Sequence, residues 1–411
     1  MRRVAVTGIG LVSPLGHCAA EVFERARSGR SAVRQLEIPG AHRLLAPLAA
    51  TVEFDGAEHF EPPQFRLLDR GSQFAVVAAR RALADAGCGL LSDQERGRAG
   101  VFLGTGMGGT MSIDDGYQTL YGDNSDRIKP MMILKGMHNA PAAWIGIELG
   151  WLGPNLTYST ACSSSSVAIG EAWLRLASGS LDVAIAGGSE APLSLGSLKA
   201  WEAMHTLAKV DPANPATSCK PFARNRSGMV LGEGAALVVL EPWDHALARG
   251  AAIHGELLGY GLTNDAGHIA RPSVEGQAAA MAAALASAGI AADQVDSINA
   301  HGTGTQANDV AETAAIKRVF GARAPRLPIS ATKALHGHLL GAAGALEFVL
   351  ALLALKHQVA LPTMHLAIPD PDCDLDYVGG VARVGAAGRT MVTNSFAFGG
   401  SNAVLALRAA D

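Results

Sequence analysis

Cysteine is scarce in this chain, and the residues present are scattered. Cys18, Cys88, Cys162, Cys219 and Cys373 are odd in number, and no two lie within C-x-x-C reach. That spacing supports neither a disulfide framework nor a cysteine-rich zinc site, and it fits a reducing compartment. Charge is also sparse: 17% of the 411 residues are charged against 49% hydrophobic, a composition that builds a core and excludes a disordered chain. A formal net charge of -4 argues against a dedicated nucleic-acid binder while leaving room for a local basic patch. Long apolar runs are missing. The longest, Ala342 to Leu355, is interrupted by Glu347 and is too short to span a bilayer. Met1 to Gly10 passes two arginines into Val4-Ala5-Val6-Thr7-Gly8, a strand and turn where a signal peptide would have its apolar centre. These absences together predict a soluble cytoplasmic protein with no membrane and no nucleic-acid partner.

Glycine, by contrast, is abundant, with 48 residues where an ordinary chain has about 7%. Many cluster where apolar runs end, at Gly104 to Gly109, Gly187-Gly188, Gly302 to Gly304 and Gly399-Gly400. Glycine there permits positive φ and close backbone approach, so these clusters are expected to line one cavity. Buried strands are expected at Val4–Thr7, Val101–Gly104, Val183–Ala186, Ala236–Leu240, Val295–Asn299 and Met391–Asn394. Helical patterns lie between them at Gln73–Ala86, Ser164–Ala177, Glu275–Ala288, Asp309–Phe320 and Ala342–His357. The alternation predicts an α/β protein with parallel sheets covered by helices. The length predicts two tightly packed halves, divided near Gly255. The last helix is apolar on nearly all sides, which places it between layers or at a subunit contact.

Four segments could carry chemistry. In Ser159-Thr160-Ala161-Cys162-Ser163-Ser164-Ser165-Ser166 a cysteine opens an apolar-periodic helix, where unpaired N–H groups and the helix dipole favour a thiolate and the serines offer caps. The alternative is a small buried cysteine in a serine-rich turn. In Asn299-Ala300-His301-Gly302-Thr303-Gly304-Thr305 a histidine ends a strand, where parallel-sheet proteins place functional groups. In Thr332-Lys333-Ala334-Leu335-His336-Gly337-His338 a lysine and two histidines precede the apolar helix and are costly to bury without a task. Lys333 could instead form a structural pair with Glu347, and His336 with His338 make only a weak metal site because no third ligand is in place. In Asn394-Ser395-Phe396-Ala397-Phe398-Gly399-Gly400-Ser401-Asn402 the loop suits N–H delivery to an oxyanion, or is simply a tight turn in a C-terminal hairpin. Gly104 to Gly109 also satisfies the dinucleotide pattern G-x-G-x-x-G, but Thr110 to Gly116 reads as a poor helix and no ribose-binding acid follows.

Taken together, and with Val4 to Gly10 and Gly337-His338-Leu339-Leu340-Gly341-Ala342-Ala343-Gly344, these segments resemble the β-ketoacyl synthase family, in the group of β-ketoacyl-acyl-carrier-protein synthase II. The resemblance covers essentially the whole chain. It implies a thiolase-type five-layer α/β/α/β/α sandwich built from two similar halves, 1–254 carrying Cys162 and 255–411 carrying His301, Lys333 and His338. It further implies that Cys162 takes the acyl chain as a thioester, that His301 and His338 act on a malonyl group, and that Lys333 supports them. Phe398 is similar to the gating residue, and the N–H groups of Cys162 and Phe398 to the oxyanion hole. Thr303 and Thr305 match positions that hold the phosphopantetheine arm, and Met107 and Phe396 are expected at the substrate.

No metal and no redox cofactor is implied. The expected partners are acyl- and malonyl-loaded acyl carrier protein and, in a dimer, either a second copy or a chain-length-factor-like subunit. Arg66, Arg70, Arg127, Lys129, Lys209, Arg224 and Arg226 are possible docking charges for an acidic carrier. Arg224 to Gly234 and Asn299 to Asp309 are similar to nodulation-type and aryl-polyene-type relatives, and Ala161 to Ser165 to polyketide-type ketosynthases. Two competing classes are disfavoured: a thiolase would carry a second cysteine near the C-terminal Gly-Gly loop, and a chain-length factor would lack Cys162, His301 or His338.

Overall fold

The apolar runs that end in glycine form strands in the computed structural model, which describes residues 1–89 and 91–410. The main strands are β1 (Val4–Val12), β2 (Ala99–Gly104), β3 (Asn155–Tyr158), β4 (Val183–Glu190), β5 (Gly234–Pro242), β6 (Gly255–Asn264), β7 (Ser297–Asn299), β8 (Ile329–Ser330), β9 (Thr390–Phe396) and β10 (Ser401–Ala409). Their order is β8-β7-β9-β10-β6-β1-β5-β4-β2-β3.

One five-strand pattern occurs twice in this order. In the first half β2 is parallel to β3 and β4, while β4, β5 and β1 run antiparallel in turn. In the second half β7 is parallel to β8 and β9, while β9, β10 and β6 run antiparallel. The halves join where β1 meets β6, Val4 opposite Leu257 and Val6 opposite Gly255. The sheets are therefore mixed, not parallel as the alternation suggested. The antiparallel strand β6 has no continuous apolar run, because glycine and polar residues break up Gly255–Asn264.

Side-chain alternation sorts each strand between two layers. In β5, Ala236, Val238 and Leu240 enter the central core, and Ala235, Leu237 and Val239 enter an outer one. In β10, Ala403, Leu405 and Leu407 face the central core, and Val404 and Ala406 the opposite outer one. The outer layers are α1 (Arg70–Ala86) and α2 (Ala140–Leu149) on one side, α4 (Val274–Ala288) and α5 (Gln306–Phe320) on the other. The middle layer is α3 (Ser164–Ala177) with α6 (Ala343–His357), which gives the five-layer α/β/α/β/α sandwich. Every residue of α6 from Ala343 to Leu355 is buried. Contrary to the expectation from sequence, Leu340–His357 is long and apolar enough to cross a membrane, because the helix begins before the apolar run and continues past it; 89% of it is buried inside the fold as a core segment.

Candidate active site

The first reactive segment sits where β3 hands over to α3. Ala161 adopts φ 51°, a left-handed conformation costly for a residue with a Cβ, and it turns Cys162 into the cleft at the head of a short 3-10 turn, Ala161–Ser163. Ser164 secures this turn, its Oγ accepting from Thr160 N at 2.9 Å and donating to Ala161 O at 2.6 Å. The serines do not cap α3, contrary to expectation. Ser165 Oγ accepts from Ala345 N at 2.9 Å and Ser166 Oγ pairs with Ser395 Oγ at 2.8 Å, so they tie the middle helices and β9 together and leave the helix entrance to other groups. Gly104 permits this packing, since a Cβ there would lie 2.2 Å from Ser165 N.

Two histidines converge on the thiol. His338 Nε2 lies 3.1 Å from Cys162 Sγ, and His338 Nδ1 is 3.2 Å from Leu340 N. A backbone N–H can only donate, so Nδ1 accepts and the neutral ring carries its proton on Nε2. His301 is held in the same way. Lys333 Nζ, which has no acceptor, lies 3.3 Å from His301 Nδ1 and donates to His301 O at 2.6 Å. Both imidazoles thus present an Nε2–H. The ligand atoms of Cys162, His301 and His338 lie within 4.8 Å of one another, close enough to grip a metal ion. A metal would need the nitrogen that each ring keeps protonated, so the wiring of both Nδ1 atoms works against it. His336 is not part of this cluster, because its Nε2 is paired with Thr332 Oγ1 at 3.0 Å.

Burial lowers His301 well below the usual histidine range, helped by the charge of Lys333 and by His338. Burial, Lys333 and His336 do the same to His338. Both rings are therefore neutral in ordinary buffer. In ¹⁵N-histidine spectra we expect both to keep the Nε2–H tautomer through the range in which an ordinary exposed histidine titrates. An imidazolium signal from either ring at neutral pH would contradict this wiring. Burial pushes the Cys162 thiol up to about 11, opposed by Lys333 and by the N–H groups of Phe398 and Cys162. The thiolate expected at the helix entry is thus not the resting form; charge on sulfur is favoured only once these donors act on it.

Lys333 and Glu347 are both fully buried and 2.6 Å apart. Burial raises the Glu347 carboxyl to about 7, with Lys333 pulling it down. Lys333→Met leaves that carboxylate without its cation, and we expect it to cost about 3–5 kcal/mol in urea denaturation. Pairing it with Glu347→Leu should restore much of that stability; a single variant as stable as the parent would show that the pair is not ionised.

The turn 397–400 is both things its sequence suggested. It closes the β9–β10 hairpin, with Phe396 opposite Asn402, and it aims the Phe398 N–H at the Cys162 sulfur. Phe398 stacks on Trp201 at 6.1 Å, and Phe396 lies edge-on to His301 at 6.1 Å. The cleft, of about 120 Å³, is lined by Cys162, His301, His338, Thr303, Thr305, Phe396 and Phe398. Thr303 Oγ1 and Thr305 Oγ1 are 2.9 Å apart at its wall. Met107 stands outside the cleft, in an apolar cluster with Leu340, Leu193 and Trp201.

Several residues of the site were not anticipated. Glu312, buried in α5, accepts from His301 N at 2.8 Å, Gly302 N at 2.9 Å and Asn394 Nδ2 at 3.1 Å, and so fixes the His301 loop. Glu190 accepts from Gly106 N at 2.6 Å and Met107 N at 3.0 Å, so the glycine loop that mimics a dinucleotide site spends its amides on the protein's own carboxylate. That occupancy excludes the dinucleotide reading; the poor-helix argument does not, because Thr110–Tyr117 is helical. Asp265, Arg271 and Asn402 also line the cleft.

Two of the basic residues are already committed to partners, Arg70 half-buried and Arg226 fully so. Arg70 makes a two-pronged pair with Glu233 at 2.8 and 2.7 Å. Arg226 is buried against Asp309 and Asp370 and donates to Thr305 O at 3.0 Å, which braces the threonine loop. Arg66, Arg127, Lys129, Lys209 and Arg224 are exposed, Lys129 being paired with Asp115 at 2.8 Å.

A buried thiol, two neutral N–H donors and two backbone N–H groups meeting on a thiolase-type fold define the class: a cysteine-dependent acyltransferase that can stabilise negative charge on a carbonyl oxygen. The comparisons give the family. The model of the β-ketoacyl synthase N-terminal domain matches residues 1–246 and that of its C-terminal domain residues 254–367, so the chain belongs to the β-ketoacyl synthase family. It is 43% identical over 409 residues to nodulation protein E of Rhizobium sp. (strain N33), with 99% of each chain covered. It is 41% identical over 419 residues to 3-oxoacyl-[acyl-carrier-protein] synthase 2 of Rhizobium meliloti (strain 1021), again with 99% of each covered. Among solved structures, the ishigamide ketosynthase/chain length factor superposes with a TM-score of 0.90 at 35% identity, covering 100% of both chains.

Proposed function

We propose that this chain is the catalytic ketosynthase of a carrier-protein pathway, in which Cys162 holds an acyl chain and a malonyl-derived carbanion attacks it. In the first step the acyl carbonyl moves from the carrier's thiol to Cys162, the new thioester forms, and the Cys162 proton leaves on the departing carrier thiol. In the second, the malonyl thioester loses CO₂ and becomes an enolate, whose oxygen accepts from His301 and His338. Its carbon attacks acyl-Cys162, and the N–H groups of Cys162 and Phe398 receive the charge on the acyl oxygen. The C–S bond breaks, Cys162 takes up a proton, and a β-ketoacyl carrier two carbons longer remains.

The observation that carries this reading is the shared Nε2–H state of the two histidines. With each Nδ1 occupied, neither ring is a convenient base; both are donors, which is what an enolate oxygen needs. Lys333 and Glu347 hold this state, and Thr303 and Thr305 offer hydroxyls to the carrier's arm. Mass spectrometry of the protein offered a panel of acyl carriers tests the reading: a Cys162 adduct should form and then extend by two carbons when malonyl carrier is added. No adduct across the panel would sink it.

The partners follow from the same proposal. The name of the Rhizobium meliloti synthase supports an acyl carrier protein as donor, and the exposed Arg127, Lys129 and Lys209 suit its acidity. β3 is an edge strand, and Tyr121, Ile133, Leu134, Ile147 and Leu152 are exposed on neighbouring segments, which supports a covering subunit. That subunit is a second copy or, by likeness to the ishigamide complex, a chain-length-factor-like chain. We place the division between halves at 1–254 and 255–411, supported by the repeat of strand order from β6 onward. The cytoplasm suits five cysteines that are all free.

A further inference from the structure

Glu190 ends β4, is fully buried, and has no atom at the cleft, yet four donors converge on it. Its Oε1 accepts from Thr105 Oγ1 at 3.0 Å and Met107 N at 3.0 Å. Its Oε2 accepts from Gly106 N at 2.6 Å and Gly341 N at 2.9 Å. Two donors on each oxygen fill what a carboxylate can accept, and they oppose the burial that raises this carboxyl to about 7. The donors come from both halves of the protein. Thr105, Gly106 and Met107 follow β2, whereas Gly341 follows the turn that carries His338. The two backbones touch, since a Cβ on Gly341 would lie 2.2 Å from Gly106 N. The amide just before Gly341, that of Leu340, is the one that donates to His338 Nδ1 at 3.2 Å. Leu340 has φ 45°, so this turn is strained and needs holding. The Met107 side chain meanwhile packs with Leu340 and Trp201 in the apolar cluster beyond the cleft.

We propose that Glu190 is a positioning residue that couples the Met107 loop to His338, so that one carboxylate keeps the glycine loop after β2 and the enolate-side donor in register. This rests on the reading of Cys162 and His338 as reacting groups. A shift of the Met107 loop is then passed through Glu190 to Gly341 and Leu340, and from Leu340 to the imidazole tautomer.

The test compares the full-length parent, Glu190→Gln and Thr105→Val in the condensation assay and in ¹⁵N-histidine spectra. Glutamine keeps the shape but points an NH₂ at donors in either orientation, Thr105 Oγ1 with Met107 N or Gly106 N with Gly341 N, and valine removes only the hydroxyl on Oε1. Glu190→Gln should lower kcat about ten- to a hundredfold while KM for the malonyl carrier changes by less than about threefold. Its His338 Nδ1 resonance should move, while that of His301, held by Lys333, stays in place. Thr105→Val should give a smaller loss in the same direction, and it carries the test alone if Glu190→Gln does not fold. A parent-like kcat in every variant that folds overturns the proposal, as does a His338 resonance that does not move. A parent that neither loads nor condenses overturns the ketosynthase reading instead.

Discussion

Cys162→Ala is expected to lose the acyl adduct and to condense at least about 10⁴-fold more slowly than the parent, because among the described residues Cys162 is the one thiol lining the cleft. The remaining cysteines cannot replace it. Cys219 and Cys373 are buried away from the cleft, and burial pushes their thiols up to about 12 and about 11. Cys162 itself starts no lower, at about 11, so its advantage is position and not resting acidity. It alone faces the Nε2–H of His338 and the N–H of Phe398. Single-turnover mass spectrometry with acyl carrier measures loading, and product formation with malonyl carrier measures the whole reaction. An alanine variant that retains more than about one hundredth of the parent rate would rule out the covalent route. Folding is not expected to change, since alanine fits the same 3-10 turn.

The second large effect is expected at the two imidazoles. Removing one preorganised donor from a developing oxyanion typically costs about 10²–10³ in rate, and His301→Ala and His338→Ala should each fall in that range for condensation. They should part in the loading step. His338 lies 3.1 Å from Cys162 Sγ and should affect transfer to the thiol, whereas His301, wired to Lys333, should leave it near the parent rate. The double variant should lose less than the product of the single losses, because both donors serve one oxygen. His338→Asn, which keeps an N–H donor, should recover part of the alanine loss. If His301→Ala slows loading as much as condensation, the division of labour is wrong. Equal and fully multiplicative losses would instead place the two donors on different oxygens.

Much of this site could be read from local sequence because its pieces are locally encoded. A helix forms wherever an apolar period and a good start coincide, and α3 occupies the expected range Ser164–Ala177. The apolar run at 342–357 demanded cover on all sides and became the middle-layer helix α6. Other features depend on residues far apart in the chain. Glu190 and Gly341 are separated by 151 positions, and Arg226 and Asp370 by 144, so nothing beside either residue announces its partner. A charge read as a docking arginine at position 226 is a buried brace for the threonine loop. One signal was available: a glutamate closing a largely apolar strand, two residues after Gly188, is costly to bury unless donors await it.

Local sequence set which groups are available and where each sits on its element: a cysteine at a helix entry, a histidine at a strand end, a lysine and a second histidine before an apolar helix, and glycines where backbones must approach. Those are short-range properties, set by periodicity, turn chemistry and the absence of a Cβ. The protonation and aim of those groups came from contacts between distant segments. The tautomer of each histidine depends on a donor at its Nδ1, one from Leu340 and one from Lys333, and the thiol's acidity depends on burial between two sheets. Hydrogen-bond direction and desolvation arise from neighbours brought together in space, so they exist only once the two halves have closed over the middle helices.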